Sequence, residues 1–191
     1  MRLVILDRDG VINEDSSDYV KTPEQWVPIP GSLEAIARLC RSEYRVVVIT
    51  NQSGVGRGLY TVDTMNKINA RMFELLRQKG GEIDALLFCP HVPDAGCECR
   101  KPKPGLFYEL ARRLKVNLTA VPAVGDSSRD LDAAIAADAQ PVLVRTGKGA
   151  ETAAAIARGE YERFKDVPVY DDLASFVDHH MQSDASRATI R

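Results

Sequence analysis

The sequence VILDRDGVIN, residues 4–13, runs from apolar residues directly into two carboxylates, Asp7 and Asp9, which are followed by Gly10. If residues 3–6 form a strand, Asp7 and Asp9 leave its end on the same side, and Gly10 permits the sharp turn that must follow. Ligands of open α/β sheets bind outside the carboxyl ends of the strands. The stretch therefore predicts a cation-dependent site at this edge, with a helix cap or a solvated turn as the alternative.

A calcium-binding EF-hand loop is excluded for the same stretch. Such a loop needs an oxygen ligand at its fifth position and glycine at its sixth. These positions are occupied here by Val11 and Ile12.

Short apolar runs alternate with amphipathic stretches along the rest of the chain. Continuous apolar runs are typical of buried parallel strands, and helical periodicity between them indicates crossover helices. The pattern predicts an α/β fold: a three-layer α/β/α, Rossmann-like, doubly wound and mainly parallel sheet. The predicted strands are LVIL (3–6), VVVIT (46–50), ALLF (85–88), AVPAVG (120–125), PVLV (141–144) and an edge strand VPVY (167–170), before a closing helix at 173–181.

Length and composition indicate one ordinary globular domain. The chain has 191 residues, 45% hydrophobic and 27% charged, with a formal net charge of -2. No basic excess points to nucleic acid or to anionic lipid, and no segment has the length of a signal peptide or a membrane span. We expect a single domain over residues 1–182, a disordered tail over 183–191, and a cytoplasmic, monomeric protein with no membrane or nucleic-acid partner.

Polar residues follow two other predicted strands. Thr50, with the loop 51–54 behind it, offers hydroxyl and N–H donors that suit phosphate oxygens. Asp126 adds a third carboxylate, and the spacing leaves open whether Asp130 supports it. Hard cations such as Mg²⁺ take oxygen ligands, and Arg100 and Lys101 supply positive charge before a helix. Together these groups predict phosphoryl transfer.

The segment CPHVPDAGCECRKP contains a second candidate metal site. Its Cys89, His91, Cys97 and Cys99 have the composition and proximity of a structural Cys₃His zinc site, with a reduced cysteine loop as the alternative. The prolines and glycine between them forbid regular structure, so Zn²⁺ would order the loop at 89–101. Because protein fills all four positions, this zinc is not expected to be catalytic.

The order D-x-D, strand-terminal Thr, Lys, then G-D with a later Asp resembles the haloacid dehalogenase (HAD) superfamily of aspartate-dependent phosphatases. The resemblance implies that Asp7 is the nucleophile and Asp9 the general acid and base. It implies that Thr50 and Lys101 bind the phosphoryl oxygens. It also implies that Mg²⁺ is held by the carboxylates of Asp7 and Asp126 and the main-chain carbonyl of Asp9. Arg8 is expected to point away from the pair, as a solvated or ion-paired side chain.

Within that superfamily, DRDGVIN, TNQSGVGRG, the zinc loop, CRKPKPG and VLVRTGKG are similar to the heptose bisphosphate phosphatase family. The resemblance implies a small phosphorylated sugar as substrate. Only a short segment separates Gly10 from the helix that begins near Gly31, and only the zinc loop follows the third strand, so we expect an open site without a large cap domain. The resemblance also implies that Arg100 recognises the distal phosphate or the sugar, with Arg57 as an optional second anchor. One departure is Ser127, where the family often has lysine. The weaker candidates for substrate contact are Asp15, Asp18, Tyr19, Asn51, Gln52, Ser53 and Ser127.

Alternative functions remain at this point. A histidinol-phosphate phosphatase shares the acids and the zinc loop, and a phospho-acceptor receiver domain also uses Asp, Thr, Lys and Mg²⁺. A zinc-dependent nucleic-acid binder is disfavoured because the chain has no basic stripe with interleaved aromatic residues. A dinucleotide-binding enzyme is disfavoured because GVGRG does not match G-x-G-x-x-G.

Overall fold

The computed structural model describes residues 2–189, with side chains up to residue 184. Its centre is a six-stranded sheet in the order β3-β2-β1-β4-β5-β6, in which every pair of neighbours is parallel. The predicted parallel sheet is therefore confirmed. The strands are β1 (Arg2–Leu6), β2 (Tyr44–Asn51), β3 (Ala85–Cys89), β4 (Pro122–Gly125), β5 (Gln140–Val144) and β6 (Val169–Tyr170).

Both faces of the sheet are buried, which explains why its strands are continuously apolar. Val4 and Leu6 of β1 pack into one core cluster, whereas Leu3 and Ile5 pack into a second cluster on the opposite face. This alternation follows from the two-residue period of a strand. A strand covered on both faces needs apolar side chains at every position.

Helices cover the two faces and complete the predicted three layers. Residues of α1, α3 and α7 share the core cluster that contains Val4, and residues of α4 and α5 share the cluster that contains Leu3. The helices are α1 (Ser32–Arg41), α2 (Ser53–Gly56), α3 (Val62–Gln78), α4 (Gly105–Leu114), α5 (Ser128–Ala136), α6 (Gly149–Ala157) and α7 (Leu173–Thr189).

The C-terminal segment differs from its prediction. Helix α7 extends to Thr189, so most of the tail expected to be disordered over residues 183–191 is helical. The physical reason is that adding a residue to an existing helix costs far less than starting one, and this segment contains no glycine or proline. Ile190 and Arg191 lie outside the described residues.

The segments that follow the carboxyl ends of β1 and β3 contain little regular secondary structure. Residues 7–31 and 90–104 each contain one 3-10 turn, Pro23–Gln25 and Pro93–Ala95 respectively. This agrees with the expectation that no large cap domain covers the site. Between residues 2 and 189, none of the helices has both the length and the apolar character needed to cross a bilayer.

The order of the strands determines where the site lies. The sheet grows from β1 through β2 to β3 on one side, and from β4 through β5 to β6 on the other. A crevice for ligands forms where the strand order reverses, here between β1 and β4. Asp7 follows β1 and Asp126 follows β4, and the Asp7 backbone N–H donates to the Val124 carbonyl at 2.9 Å.

Candidate active site

Three carboxylates meet at this crevice. Oxygen atoms of Asp7, Asp126 and Asp130 all lie within 4.8 Å of one another. Asp130 reaches the group from the first turn of α5, where it forms a capping box with Ser127. The Asp130 carboxylate, whose part in the site the sequence left open, therefore lies in the cluster.

The absence of a side chain at Gly10 makes room for the Asp126 carboxylate. Gly10 has φ of 83°, and a Cβ placed there would be 2.2 Å from Asp126 Oδ2. Any other residue would collide with that carboxylate and would also be strained by the positive φ. The glycine after D-x-D is thus required by the approach of Asp126.

Burial makes the cluster electrostatically unfavourable without a cation. Burial, together with the charge of Asp130, raises the pKa of Asp126 to about 7. Burial also holds the pKa of Asp7 well above its usual range, although the Lys101 ammonium opposes the shift. Closely spaced, ionised carboxylates need compensating positive charge, and oxygen ligands suit a hard divalent cation. The donor set therefore fits Mg²⁺.

Lys101 supplies one fixed positive charge. Its ammonium group lies 3.0 Å from Asp7 Oδ1 and 2.6 Å from Asp130 Oδ1, and it donates to the Ile49 carbonyl at 2.8 Å. Although burial opposes it, attraction to Asp130 and Asp7 raises the pKa of Lys101. The same ammonium outweighs burial at Asp130 and lowers the pKa of that carboxyl to about 2.

Arg8 does not point away from the acid pair as expected, although it is ion-paired, which was one of the two states predicted for it. Its side chain is buried and forms an ion pair with Asp9 at 3.0 Å, rather than extending into solvent. Arg8 also donates to Asn69 Oδ1 of α3 and to Gln52 Oε1, both at 3.0 Å. The physical reason is that these two amide oxygens and the carboxylate satisfy a guanidinium that water cannot reach.

The Asp9 carboxylate accepts hydrogen bonds from three side chains. They are Arg8, Asn13 at 2.9 Å and Gln52 at 2.7 Å. Burial disfavours the ionised form, but these donors and the charge of Arg8 outweigh it and lower the pKa of Asp9. Asp9 therefore differs sharply from Asp7, two residues away.

The end of β2 brings Thr50 and Gln52 to the same place. Gln52 Nε2 donates to Thr50 Oγ1 at 3.0 Å, and Gln52 Oε1 accepts from Tyr60 at 2.9 Å. Tyr60 was not identified from the sequence. The sequence feature that points to Tyr60 is Gly54, because a Cβ at Gly54 would be 2.2 Å from the Tyr60 ring.

A cavity of about 390 Å³ lies over these groups. All of the predicted catalytic and substrate-contacting residues line it except Asp18, whose side chain is 86% exposed and pairs with Lys21 instead. Residues that line the cavity but were not predicted as site residues are Ser16, Ser17, Val20, Tyr60, Pro93, Arg129, Lys148 and, as a partner of Asp9, Arg8.

Lys148 links two loops at this cavity. Its backbone N–H donates to Asp126 Oδ2 at 2.8 Å, and its ammonium group pairs with Asp15. Lys148 lies in the loop RTGKG that follows β5. It could have been found from the sequence, because this loop leaves the sheet at the same edge as the acids. Asp15 is thereby fixed by an ion pair next to the acid cluster.

The Cys₃His set is assembled as the spacing predicted. One ligand atom from each of Cys89, His91, Cys97 and Cys99 lies within 4.8 Å of the other three. The Sγ atoms of Cys89 and Cys97 are 3.7 Å apart, close to the roughly 3.8 Å edge of a tetrahedron with Zn–S bonds of about 2.3 Å. Burial raises the pKa of Cys89 to about 12, so a thiolate there needs a cation. The residues fit Zn²⁺.

Arg100 follows this cluster and lines the cavity. Its guanidinium donates to the His91 carbonyl at 3.2 Å, which ties it to the Cys₃His loop. Arg57 lines the cavity as well. Arg57 and Arg100 therefore line the cavity in addition to Lys101.

Comparisons with known proteins agree with this geometry. A family model described as HAD-hydrolase-like matches residues 98–175. The chain is 50% identical to the D-glycero-beta-D-manno-heptose-1,7-bisphosphate 7-phosphatase of Bordetella bronchiseptica, over 95% of this chain and 99% of that one. It is also 50% identical to the Pseudomonas putida enzyme of the same name, with coverage of 93% and 98%.

Solved structures give the same result. The crystal structure of D,D-heptose 1,7-bisphosphate phosphatase from B. bronchiseptica, complexed with magnesium and phosphate, superposes with a TM-score of 0.90 at 49% identity. The match covers 96% of this chain and 99% of the B. bronchiseptica chain. With identity and coverage this high, the chain belongs to the D-glycero-beta-D-manno-heptose-1,7-bisphosphate 7-phosphatase family of HAD-like hydrolases.

Proposed function

We propose that this enzyme removes the 7-phosphate of D-glycero-D-manno-heptose 1,7-bisphosphate, within the synthesis of nucleotide-activated heptose for lipopolysaccharide. The observation that carries the proposal is the position of the Asp7 carboxylate, 3.0 Å from the Lys101 ammonium and next to Asp126 in an open cavity. A carboxylate in this setting can attack a phosphate whose charge has been neutralised. The names of the relatives supply the substrate.

Magnesium is the cation proposed for the acid cluster, and the related structure from B. bronchiseptica is a complex with magnesium and phosphate. The carboxylates of Asp7 and Asp126 and the main-chain carbonyl of Asp9 would hold it. When bound, Mg²⁺ polarises the phosphoryl group and offsets its negative charge. Asp130 shares the cluster but also pairs with Lys101, so its proposed role is to hold that ammonium in place.

In the first step, an Asp7 carboxylate oxygen forms a bond to phosphorus while the bond from phosphorus to the C7 oxygen breaks. Asp9 donates its proton to the leaving alkoxide, which would otherwise depart slowly. Thr50 and Lys101 contact the transferring phosphoryl oxygens. The products are the heptose 1-phosphate and an aspartyl phosphate on Asp7.

In the second step, Asp9 takes a proton from water as the water oxygen bonds to phosphorus. The bond between phosphorus and Asp7 breaks, which releases inorganic phosphate and regenerates the carboxylate. Because its donors lower the pKa of Asp9, a proton must be gained before the first step. An incoming phosphate dianion favours that protonation, since nearby negative charge raises the pKa of an acid.

Recognition of the rest of the substrate is proposed for the guanidinium groups of the cavity. Arg100 can contact a second phosphate through two parallel hydrogen bonds, and Arg57 is an additional candidate. Tyr19, Ser53 and Ser127 line the same cavity and remain candidates for contacts with sugar hydroxyls.

A structural zinc is proposed for the Cys₃His loop. Its effect on catalysis would be indirect, since Arg100 and Lys101 follow Cys99 in the chain. None of the four cysteines forms a disulfide, which suits the cytoplasm, and we retain the proposal of a cytoplasmic enzyme. The monomeric state also stays a prediction, as does the absence of nucleic-acid and membrane partners.

The deciding experiment compares kcat/KM for three phosphate esters with the purified enzyme and Mg²⁺. We expect the heptose 1,7-bisphosphate to exceed fructose 1,6-bisphosphate and histidinol phosphate by at least about 100-fold, which corresponds to roughly 2.7 kcal/mol of transition-state binding. A higher kcat/KM for histidinol phosphate would replace the proposed substrate. A single stoichiometric phosphorylation without turnover would instead indicate a receiver domain.

A further inference from the structure

Asn51 forms two hydrogen bonds with the backbone of one residue, Lys101. Its Nδ2 donates to the Lys101 carbonyl at 3.1 Å, and its Oδ1 accepts from the Lys101 backbone N–H at 3.1 Å. The side-chain amide thus pairs with Lys101 as a peptide group of a neighbouring strand would. The paired bonds also fix which way the amide faces.

The position of Asn51 explains why this pair matters. Asn51 is the last residue of β2, and its backbone is in register with Cys89, the last residue of β3. The chain leaves the sheet at Cys89 and returns to the sheet edge at Lys101. Asn51 therefore touches both ends of this loop, the first through the sheet and the second through its side chain.

The loop has little regular structure to fix its returning end. Residues 90–104 contain one 3-10 turn, and three prolines interrupt 90–102. A flexible segment loses conformational entropy when its ends are brought together, so it needs specific contacts to stay closed. The two bonds from Asn51 hold both backbone polar groups of Lys101.

A fixed backbone at Lys101 is required by its side chain. The ammonium group must reach Asp7, Asp130 and the Ile49 carbonyl at once, at distances of 3.0, 2.6 and 2.8 Å. A small displacement of the Lys101 backbone would lengthen these contacts. Misplacement of a catalytic group by 1 Å can cost about 100-fold in rate.

We propose that Asn51 is a positioning residue that acts on phosphoryl transfer through Lys101, and not a residue that recognises the sugar. This inference rests on the proposed phosphatase function but not on the identity of the sugar. Both polar atoms of the amide are engaged by Lys101, so a sugar hydroxyl would have to share or displace these bonds. Asn51 lines the cavity next to Lys101, whose backbone it holds in place.

The test is Asn51→Ala assayed with two substrates, the heptose bisphosphate and phenyl phosphate, which has no sugar and no second phosphate. A positioning role predicts that kcat falls by about 10- to 100-fold for both substrates and by the same factor within about threefold. KM for the bisphosphate should change much less than kcat. Asn66→Ala, the same truncation on the exposed face of α3, is the matched control and should retain wild-type rates.

The outcomes separate the possibilities. A loss at least 10-fold larger for the bisphosphate than for phenyl phosphate would mean that Asn51 contacts the sugar or the distal phosphate, and would overturn the inference. Unchanged rates with both substrates would overturn it as well. If the wild type hydrolyses phenyl phosphate but not the bisphosphate, the proposed substrate fails; a loss of kcat of about 10- to 100-fold in Asn51→Ala with phenyl phosphate, which has no sugar to recognise, still supports the inference, and an unchanged kcat overturns it.

A second variant covers the case in which Asn51→Ala does not fold. Asn51→Leu is nearly the same size and adds no charge to the cavity, but it can neither accept from the Lys101 N–H nor donate to the Lys101 carbonyl. The same equal loss of kcat with both substrates is expected. Zinc content at the wild-type level in either variant would show that the loss does not come from the Cys₃His loop.

Discussion

Asp7 and Asp9 are two residues apart and have opposite electrostatic environments. Burial and three neighbouring acids raise the pKa of Asp7, whereas Arg8 and amide donors overcome burial and lower the pKa of Asp9. The carboxylate that faces the acid cluster thus needs a cation, and the other is neutralised by a buried arginine. Two aspartates separated by a single residue can therefore have different roles in one reaction.

The nucleophile assignment predicts that Asp7→Asn lowers kcat by on the order of 10⁴-fold or more, because the amide cannot form the aspartyl phosphate. Steady-state phosphate release measures the effect; the variant should still fold, and its zinc content should stay near the wild-type value. The matched control is Asp171→Asn, which removes an exposed carboxylate paired with Arg145 at 3.5 Å and should leave kcat unchanged. Turnover by Asp7→Asn at more than a few per cent of the wild-type rate would refute the assignment.

At this scale the sequence indicated residues that end strands, but not residues that reach the site from elsewhere. Asp7, Thr50 and Asp126 follow apolar runs, so their position was visible in the pattern. The burial of Arg8 depends on Asn69, sixty-one positions away on α3, and the pairing of Lys148 with Asp15 joins loops from distant parts of the chain. Such long-range contacts leave no periodic signal in a single sequence.

At the scale of the element, the Cys₃His loop shows how a segment without a hydrogen-bond ladder can be ordered. Its four ligand atoms converge, while Arg100 donates back to the His91 carbonyl and Asn51 holds Lys101. The sequence spacing was sufficient to predict this site because ligand identity and separation are local. Helix α7 was underpredicted for the opposite reason: its final turns depend on the helix that precedes them.

For this loop we expect about one zinc per chain in the wild type and a loss of most of it in Cys97→Ala. The unfolding temperature should fall by about 5 °C or more, since each kcal/mol lost lowers it by roughly 2–4 °C at this chain length. Elemental analysis and thermal unfolding measure the two effects. Cys40→Ala is the control, because Cys40 lies on α1 outside the cluster and should keep its zinc; equal zinc in both variants would exclude the assignment.

At the scale of the whole molecule, the order of the strands determines where chemistry can occur. The reversal between β1 and β4 brings Asp7 and Asp126 together, and short loops after β1 and β3 leave the cavity open. Alternating strands and helices were enough to predict a doubly wound parallel sheet, because parallel strands with crossover helices have few possible topologies, but not the strand order that puts the reversal between β1 and β4. The shape of the cavity depends instead on loop contacts such as Lys148 with Asp126, which the pattern does not specify.

The acid cluster also links metal binding to the stability of the whole fold. Without metal, the folded state keeps a proton on Asp126 up to a pKa of about 7, whereas an unfolded aspartate loses it near 3.9. The folded state thus binds more protons between these values, so this group makes the metal-free protein less stable as pH rises from about 4 to 7. Mg²⁺ must displace that proton at low pH but not at high pH, which weakens its binding by about 30-fold at pH 5.5 relative to pH 8.

We therefore expect millimolar Mg²⁺ to raise the unfolding temperature more at pH 8 than at pH 5.5, because a ligand stabilises the folded state according to its affinity. Thermal unfolding at both pH values, with and without Mg²⁺, measures the difference and cancels titrations unrelated to the metal. In Asp126→Asn the metal-free protein should lose the decline in stability that this group causes, and the increment from Mg²⁺ at pH 8 should largely disappear. An equal increment at the two pH values in the wild type would show that Asp126 carries no proton for the metal to displace, and that the carboxylates are already balanced by Lys101 and Lys148.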